Sequence, residues 1–329
     1  MPLSRLTLAI NAGHVTLPDD GVIAVVGPPA DADLSALPME RLQIVQGFKP
    51  DHDAWASRGY AVTTEMPAQV AGAIVFLPRA KDAMRARVAA ALGASDGPIT
   101  IDGLKIEGID SLYKDLRKRG TVSAAFSKAH GKTFTLDQDA DLASWAAPAT
   151  PVEVIAGFRT LPGVFSAQGI DKGSAVLAEA LPAKLPSRVA DLGSGWGWLS
   201  AQILSHDTVQ HLEMVEADYD AHRCAHINVT DPRAHLHWAD ATQFRPEKLC
   251  DAVIMNPPFH TSRNADPSIG RAFLHAGTKM LHQGGQMWIV ANRHLPYENT
   301  LSELFLDVTE IAGTNSFKVL HARKPRRTR

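Results

Sequence analysis

The chain has 329 residues, 45% hydrophobic and 21% charged, and a net charge of −2. That length accommodates two domains of ordinary size, and the composition is that of a soluble globular protein. The near-neutral charge excludes a general affinity for polyanions, so any nucleic-acid contact must come from local patches; two cysteines, Cys224 and Cys250, make no disulfide framework and suit a reducing cytoplasm.

Residues 1–20 signal no element, and the first eleven lack the apolar core of a signal peptide. Gly21 to Gly27 reads as a buried strand running into the turn Gly27-Pro28-Pro29. Leu42 to Gln46, Ala73 to Pro78 and Pro98 to Ile101 read as three more strands. Lys81 to Leu92 and Ile109 to Lys118 carry apolar residues at helical spacing. Strands alternating with helices predict a parallel α/β sheet. From Asp137 to Val154 aspartates give way to Ser144, Pro148, Thr150 and Pro151, which reads as a linker between domains at 1–150 and 151–329. No run of about 18 apolar residues exists, so no membrane span is expected.

The second half repeats the rhythm. Gly163 to Ser174 is glycine-punctuated and leads into a helix ending near Leu181, with Asp171 or Ser174 as its cap. Strands are expected at Arg188–Leu192, Leu212–Glu216, His235–Trp238, Asp251–Asn256 and Gln286–Ala291, and helices at Trp198–Ser205, Asp220–Val229, Ile269–Leu281 and Asn299–Phe305. Val308–Ala312 and Phe317–Ala322 form an antiparallel edge. The two halves echo each other weakly, as a duplicated unit would. In the first half Gln46 stands for the acid Glu216, Gly27-Pro28-Pro29 for the glycine turn, and Leu77-Pro78-Arg79 for Asn256-Pro257-Pro258.

The chemistry concentrates at strand ends. Asp191-Leu192-Gly193-Ser194-Gly195-Trp196-Gly197 is a strand, a glycine turn and a helix start. Trp198 stands where a dinucleotide fingerprint needs its third glycine, and Asp191 would repel a pyrophosphate. The turn suits a cationic nucleoside without phosphate, such as S-adenosylmethionine. Glu216 at the next strand end fits ribose hydroxyls, and Asp240 could accept from an adenine amino group. Asp251 to Met255 is a short apolar strand stopped by Asn256-Pro257-Pro258-Phe259, since neither proline can extend a ladder. The Asn256 side-chain oxygen and the Pro257 carbonyl can each accept an N–H of an exocyclic amino group, which aims its lone pair. Phe259 offers a face for stacking, worth roughly 1–3 kcal/mol per base.

Residues 160–322 resemble a class I S-adenosylmethionine-dependent methyltransferase. More narrowly, Gly163-Val164-Phe165-Ser166 with Gly169, Asp171, Gly173 and Ser174 resembles the bacterial ribosomal RNA guanine-N2 methyltransferases. So do Asn256-Pro257-Pro258-Phe259-His260, Ile289 to Asn292, and Leu295-Pro296-Tyr297. The resemblance implies two tandem Rossmann-like α/β domains, the N-terminal one degenerate and kept for RNA recognition or support, the C-terminal one a catalytic seven-stranded sheet. It implies catalysis by Asn256, Pro257, Pro258 and Phe259. It implies S-adenosylmethionine contacts from Phe165, Asp171, Gly173, Ser174, Asp191, Gly193, Ser194, Gly195, Glu216, Ala217, Asp240, Ala241 and Asn256. Trp196 and Trp198 depart from the small residues usual in that loop and are expected to pack beside the cofactor.

The implied partner is ribosomal RNA or a ribosomal subunit, met in the cytoplasm by a monomer without metal or membrane. His222, His226, His235 and His237 read as surface histidines, because Arg223 stands where a zinc-protease pattern needs glutamate. Lys114, Arg117, Lys118, Arg119 and the tail from Arg323 to Arg329 are candidate phosphate contacts. Two rivals stand beside guanine methylation: the same chemistry on adenine or on a protein glutamine, and a non-catalytic RNA-binding or chaperone module.

Overall fold

The computed structural model describes residues 4–148, 150–155, 157–258 and 267–326. Phe259 and His260 therefore lie outside the described residues, as do Arg327 to Arg329. Contacts divide the chain into two compact units, Met1–Thr150 and Pro151–Arg329.

In unit 1, α1 (Arg5–Asn11) starts at Ser4, whose hydroxyl accepts from the Thr7 N–H. Then come β1 (Ile23–Val26), β2 (Leu42–Val45), α2 (Lys49–Ser57), β3 (Ala61–Thr63), β4 (Gly72–Phe76), α3 (Lys81–Ala94), β5 (Ile99–Leu104), α4 (Ile109–Leu116), β6 (Phe126–Lys128) and β7 (Gly131–Leu136). They form a seven-stranded sheet in the order β3-β2-β1-β4-β5-β7-β6, with β7 antiparallel to both neighbours. The sequence reading has no element at α1, α2, β3, β6 or β7, where apolar residues are few or alternate with polar ones.

Unit 2 opens with a hairpin of β8 (Val152–Ile155) and β9 (Phe158–Thr160). It continues through α5 (Lys172–Ala180), β10 (Arg188–Leu192), α6 (Trp198–Leu204), β11 (His211–Glu216), α7 (Tyr219–Asn228) and β12 (Ala234–Trp238). Last come β13 (Cys250–Met255), α8 (Pro267–Met280), β14 (Leu281–Asn292), α9 (Tyr297–Leu304), β15 (Phe305–Gly313) and β16 (Phe317–Pro325). Its sheet runs β12-β11-β10-β13-β14-β16-β15, the same topology as in unit 1. Two tandem α/β sheets of one design follow, as the class I methyltransferase resemblance implies.

The central strand explains the layering. Val253 and Met255 face a core shared with α8 and α9 through Leu274 and Leu301. Ala252 and Ile254 face the opposite core, with Leu177 of α5, Ile203 of α6 and Ala225 of α7. All four strand residues are fully buried, so the apolar run needs no polar side.

Two boundaries differ from the sequence reading. The stretch from Asp137 to Trp145 belongs to unit 1 and is no linker: Thr121 donates to the Asp139 carboxylate from its N–H at 2.9 Å and its hydroxyl at 2.7 Å, and Trp145 is buried in the unit 1 core. Asp139, which looks solvated by composition, is satisfied by donors 18 residues away. The strand expected from Gln286 instead begins at Leu281 and carries Gly284-Gly285 inside it, with an irregular register between Cys250 and Ala252 of its neighbour. Glycines within a strand mark such irregularities.

Candidate active site

The carboxyl ends of β10, β11 and β13 meet along one edge. Leu192 pairs with Met255 on one side and Val215 on the other, so Gly193, Asn256 and Glu216 come next on three adjacent strands. This is the place where open α/β sheets hold ligands. Gly193 and Ser194 both donate to the Val215 carbonyl, which folds the turn back over β11. Gly193 and Gly195 adopt φ of +75° and +55°, which side chains other than glycine adopt only under strain. A Cβ on Gly195 would meet nothing within 4 Å and would project into open space.

A cleft at this edge is lined by Phe165, Asp171, Ser174, Gly193, Ser194, Gly195 and Asn256, all named from the sequence, together with Ser166, Trp196, Trp198 and Leu199. Asp171 caps α5 by accepting from the Ser174 N–H at 2.8 Å. Gly173 sits within that first turn, where a Cβ would lie 3.0 Å from the Asp171 carboxylate and 3.2 Å from the Phe317 ring. Asn256 donates its amide to Asp171 Oδ2 at 2.8 Å and to Ser174 Oγ at 2.9 Å. A carboxylate can only accept, so this contact fixes which end of the amide is nitrogen. Asn256 Oδ1 is left buried and without a hydrogen-bond partner among the described residues. Pro257 is buried and Pro258 exposed.

Asp191 is fully buried; its Oδ2 accepts from the Ser200 hydroxyl at 2.6 Å, while Oδ1 has no partner among the described residues. Burial pushes its carboxyl up to about 7, against the Ser200 hydrogen bond. Glu216 does not line the cleft. Its Oε2 accepts from the Gly195 N–H at 2.8 Å and its Oε1 from the Asp218 N–H at 2.7 Å, so it braces the glycine turn while each oxygen keeps a further lone pair. Burial raises its carboxyl to about 7 as well. Asp240 accepts from the Thr242 N–H and hydroxyl through Oδ1, which holds the turn that follows β12. The Ala217 carbonyl accepts from the Trp238 indole, and the Ala241 methyl is buried in the core.

Unit 1 has a different solution at the equivalent edge. Pro29 stands at the position of Gly195 and has no N–H to offer, so the residue at the end of β2 donates instead. Gln46 does so, to the Pro28 carbonyl at 2.8 Å, and accepts from the Phe48 N–H at 2.9 Å. The Arg87 guanidinium donates to the Phe76 carbonyl and lies against Gly27, where a cofactor would need room.

The sequence reading missed the support behind the cleft. Trp196 is buried, packs edge-on to Phe158, and donates its indole N–H to the Phe165 carbonyl at 3.0 Å. Asn228 donates to the carbonyls of both Trp196 and Arg159. Trp196 and Trp198, expected beside the cofactor, both line the cleft, and Ser166 stood in the quoted motif without a role of its own; Ser200 and Phe317 gave no signal. Trp196→Phe keeps the ring and loses that hydrogen bond, so it should raise the S-adenosylmethionine KM by about 2- to 10-fold at unchanged kcat. Steady-state kinetics with methylated-RNA readout checks this, and a lowered kcat at unchanged KM would contradict it. Of the histidines read as surface groups, His226 and His235 are exposed, whereas His237, like His211, approaches the buried Glu213 carboxylate at 2.7 Å. Burial opposes its ionisation, yet these contacts hold Glu213 down at about 2.

The methyltransferase small domain model matches residues 156–321. The chain is 31% identical to the ribosomal RNA small subunit methyltransferase C of Shewanella amazonensis over 76% of each protein. It is 30% identical to that of Hahella chejuensis, over 92% of this chain and 94% of the other. Among solved structures it resembles a T. thermophilus 16S rRNA N2 methyltransferase in complex with AdoMet and guanosine. The TM-score is 0.78 at 22% identity, over 94% of this chain and 90% of that one, a likeness of fold.

Proposed function

Because this chain belongs to the ribosomal RNA small subunit methyltransferase C family, with a methyltransferase small domain in its C-terminal half, we propose that it transfers a methyl group from S-adenosylmethionine to the N2 amino group of a guanine in ribosomal RNA. The observation that carries this reading is the amide of Asn256. Its nitrogen is spent on Asp171 and Ser174, and its oxygen is a buried acceptor without a partner among the described residues, next to the glycine turn.

The residues present fit the cofactor. The open space at Gly195, the Asp191 oxygen without a partner among the described residues and the neighbouring acids suit a ligand with cationic centres and sugar hydroxyls, and the acids would repel a phosphate. Gly193, Ser194 and Gly195 would hold its backbone-facing side, Glu216 and Asp240 its ribose and base, and Phe165, Asp171 and Ser174 its amino-acid end. When bound, the cofactor supplies an electrophilic methyl group. Asn256 Oδ1 and the Pro257 carbonyl accept the two amino hydrogens and point the nitrogen lone pair along the line of attack. Orientation and exclusion of water are the main contributions. No strong base is needed: the proton leaves after the nitrogen has become cationic, and water can take it. A paired guanine must first leave its stack.

The test is methyl transfer to ribosomal subunits and naked rRNA from cells lacking the enzyme, followed by nucleoside mass spectrometry. N2-methylguanosine is expected; N6-methyladenosine or a methylated protein glutamine would replace this reading with its rival. The assignment of Glu216 has its own check. Glu216→Ala should weaken S-adenosylhomocysteine binding by about 1–3 kcal/mol, since it removes hydrogen bonds to a charged group and frees the Gly195 N–H. Isothermal titration giving wild-type affinity would contradict that role.

A further inference from the structure

The net charge of −2 conceals a strong local imbalance. Residues 105–132 hold seven cations and three carboxylates, +4 in all, so the remainder of the chain sums to −6. A solvated helix face ordinarily mixes its signs. Here the fold of unit 1 gathers the excess around α4 and β7, and the three carboxylates are already engaged. Glu107 turns inward to accept from the Leu104 N–H, Asp110 pairs with Lys132 at 2.7 Å, and Asp115 pairs with Arg85 at 3.1 Å. The Asp110 carboxyl is held below its ordinary range by the Lys132 hydrogen bond and by the charges of Lys132, Lys105 and Lys114.

Lys105, Lys114, Arg117 and Lys118 are exposed and make no ion pair among the described residues. Aromatic rings are interleaved with the cations. Lys132 and Arg117 stand 5.0 and 5.9 Å from the Tyr113 ring, and Arg119 and Arg85 stand 4.8 and 5.1 Å from the Trp145 ring. Rings that hold guanidinium groups in place lower the cost of ordering them on a ligand.

We propose that this face of unit 1 is a docking surface for the phosphate backbone of the RNA substrate, with Lys114, Arg117 and Lys118 as its principal contacts. The assignment rests on the reading that the substrate is RNA, a polyanion that this chain as a whole does not attract. Phosphates are met by lysine as a point charge and by arginine as a planar fork, and contacts of this kind position a nucleic acid without reading its sequence.

The experiment uses the full chain. The triple variant Lys114→Gln, Arg117→Gln, Lys118→Gln changes exposed positions only, and keeps a good helix former at Lys114, the one of the three within α4. A control variant, Lys81→Gln, Lys184→Gln, Lys248→Gln, makes the same change of charge at exposed sites elsewhere. Binding of a 16S rRNA transcript is measured by fluorescence anisotropy across a salt series, alongside methyl-transfer kinetics. The triple variant should raise the RNA KM by about 10-fold or more, leave the S-adenosylmethionine KM unchanged, and reduce the slope of log K against log salt by about two to three. The control should change neither RNA quantity. A triple variant with the wild-type slope and RNA KM overturns the proposal, as does a control with the same loss. If the wild-type enzyme methylates no rRNA, the reading of its reaction fails, and the salt slopes of the variants still decide whether this face binds RNA.

Discussion

Asn256→Ala should lower kcat by about 10²- to 10³-fold, the usual loss when one preorganised hydrogen-bonding group is removed from a reacting centre. Affinity for S-adenosylhomocysteine should stay within about threefold, because what is lost aims the nucleophile and the glycine turn is untouched. The geometry makes a sharper demand of Asn256→Asp. That variant places a second carboxyl where the Asn256 amide now donates to Asp171 at 2.8 Å. Ionised, the two carboxylates repel and no donor faces Asp171. Protonated, the new carboxyl can donate to Asp171 and still present a carbonyl oxygen to the amino group. Turnover by Asn256→Asp should therefore rise as pH falls, while that of Asn256→Ala should follow only the wild-type profile. Equal pH profiles for the two variants, or near-normal turnover by either, would make the turn a structural stop with no part in the reaction.

The second large effect belongs to Asp191. Its carboxyl is raised by burial to about 7 from an ordinary 3.8. The folded chain without ligand thus holds a proton that the unfolded chain gives up at much lower pH. The stability tied to this group is full below about pH 4 and is lost as pH rises towards 7, by at most about 4 kcal/mol. The amide introduced by Asp191→Asn does not titrate. The stability of the wild type relative to Asp191→Asn should therefore fall over that interval and level off above it, as urea denaturation at several pH values would measure. A cationic ligand favours the ionised form, so wild-type affinity for S-adenosylmethionine should strengthen from about pH 5 to 7, while that of Asp191→Asn should be weaker by about 10- to 100-fold and flat. A stability difference independent of pH would mean that Asp191 is not the poised acid.

Much of this was legible in the sequence because it depends on local chemistry. The apolar run from Ala252 to Met255 reads as a strand covered on both faces, as it is, and the prolines after Asn256 end it. Glycines at 193 and 195 announce backbone that side chains avoid, and both have positive φ. The echo between the two halves corresponds to two sheets of identical strand order, since strand–helix alternation is written in hydrophobic spacing.

What only the tertiary structure decided are the relations between residues far apart in the chain. The direction of the Asn256 amide depends on Asp171, 85 residues earlier. The hydrogen bond from Trp196 to Phe165 spans 31 residues, and Asp139, read as part of a linker, is held by Thr121. Glu216 also braces the Gly195 N–H, and Gln46 donates instead of accepting because Pro29, at the position of Gly195, has no hydrogen to give. A hydrogen bond needs its partner within about 3 Å and correctly directed. Sequence spacing sets neither condition once the partners sit on different strands, and packing of the sheet sets both.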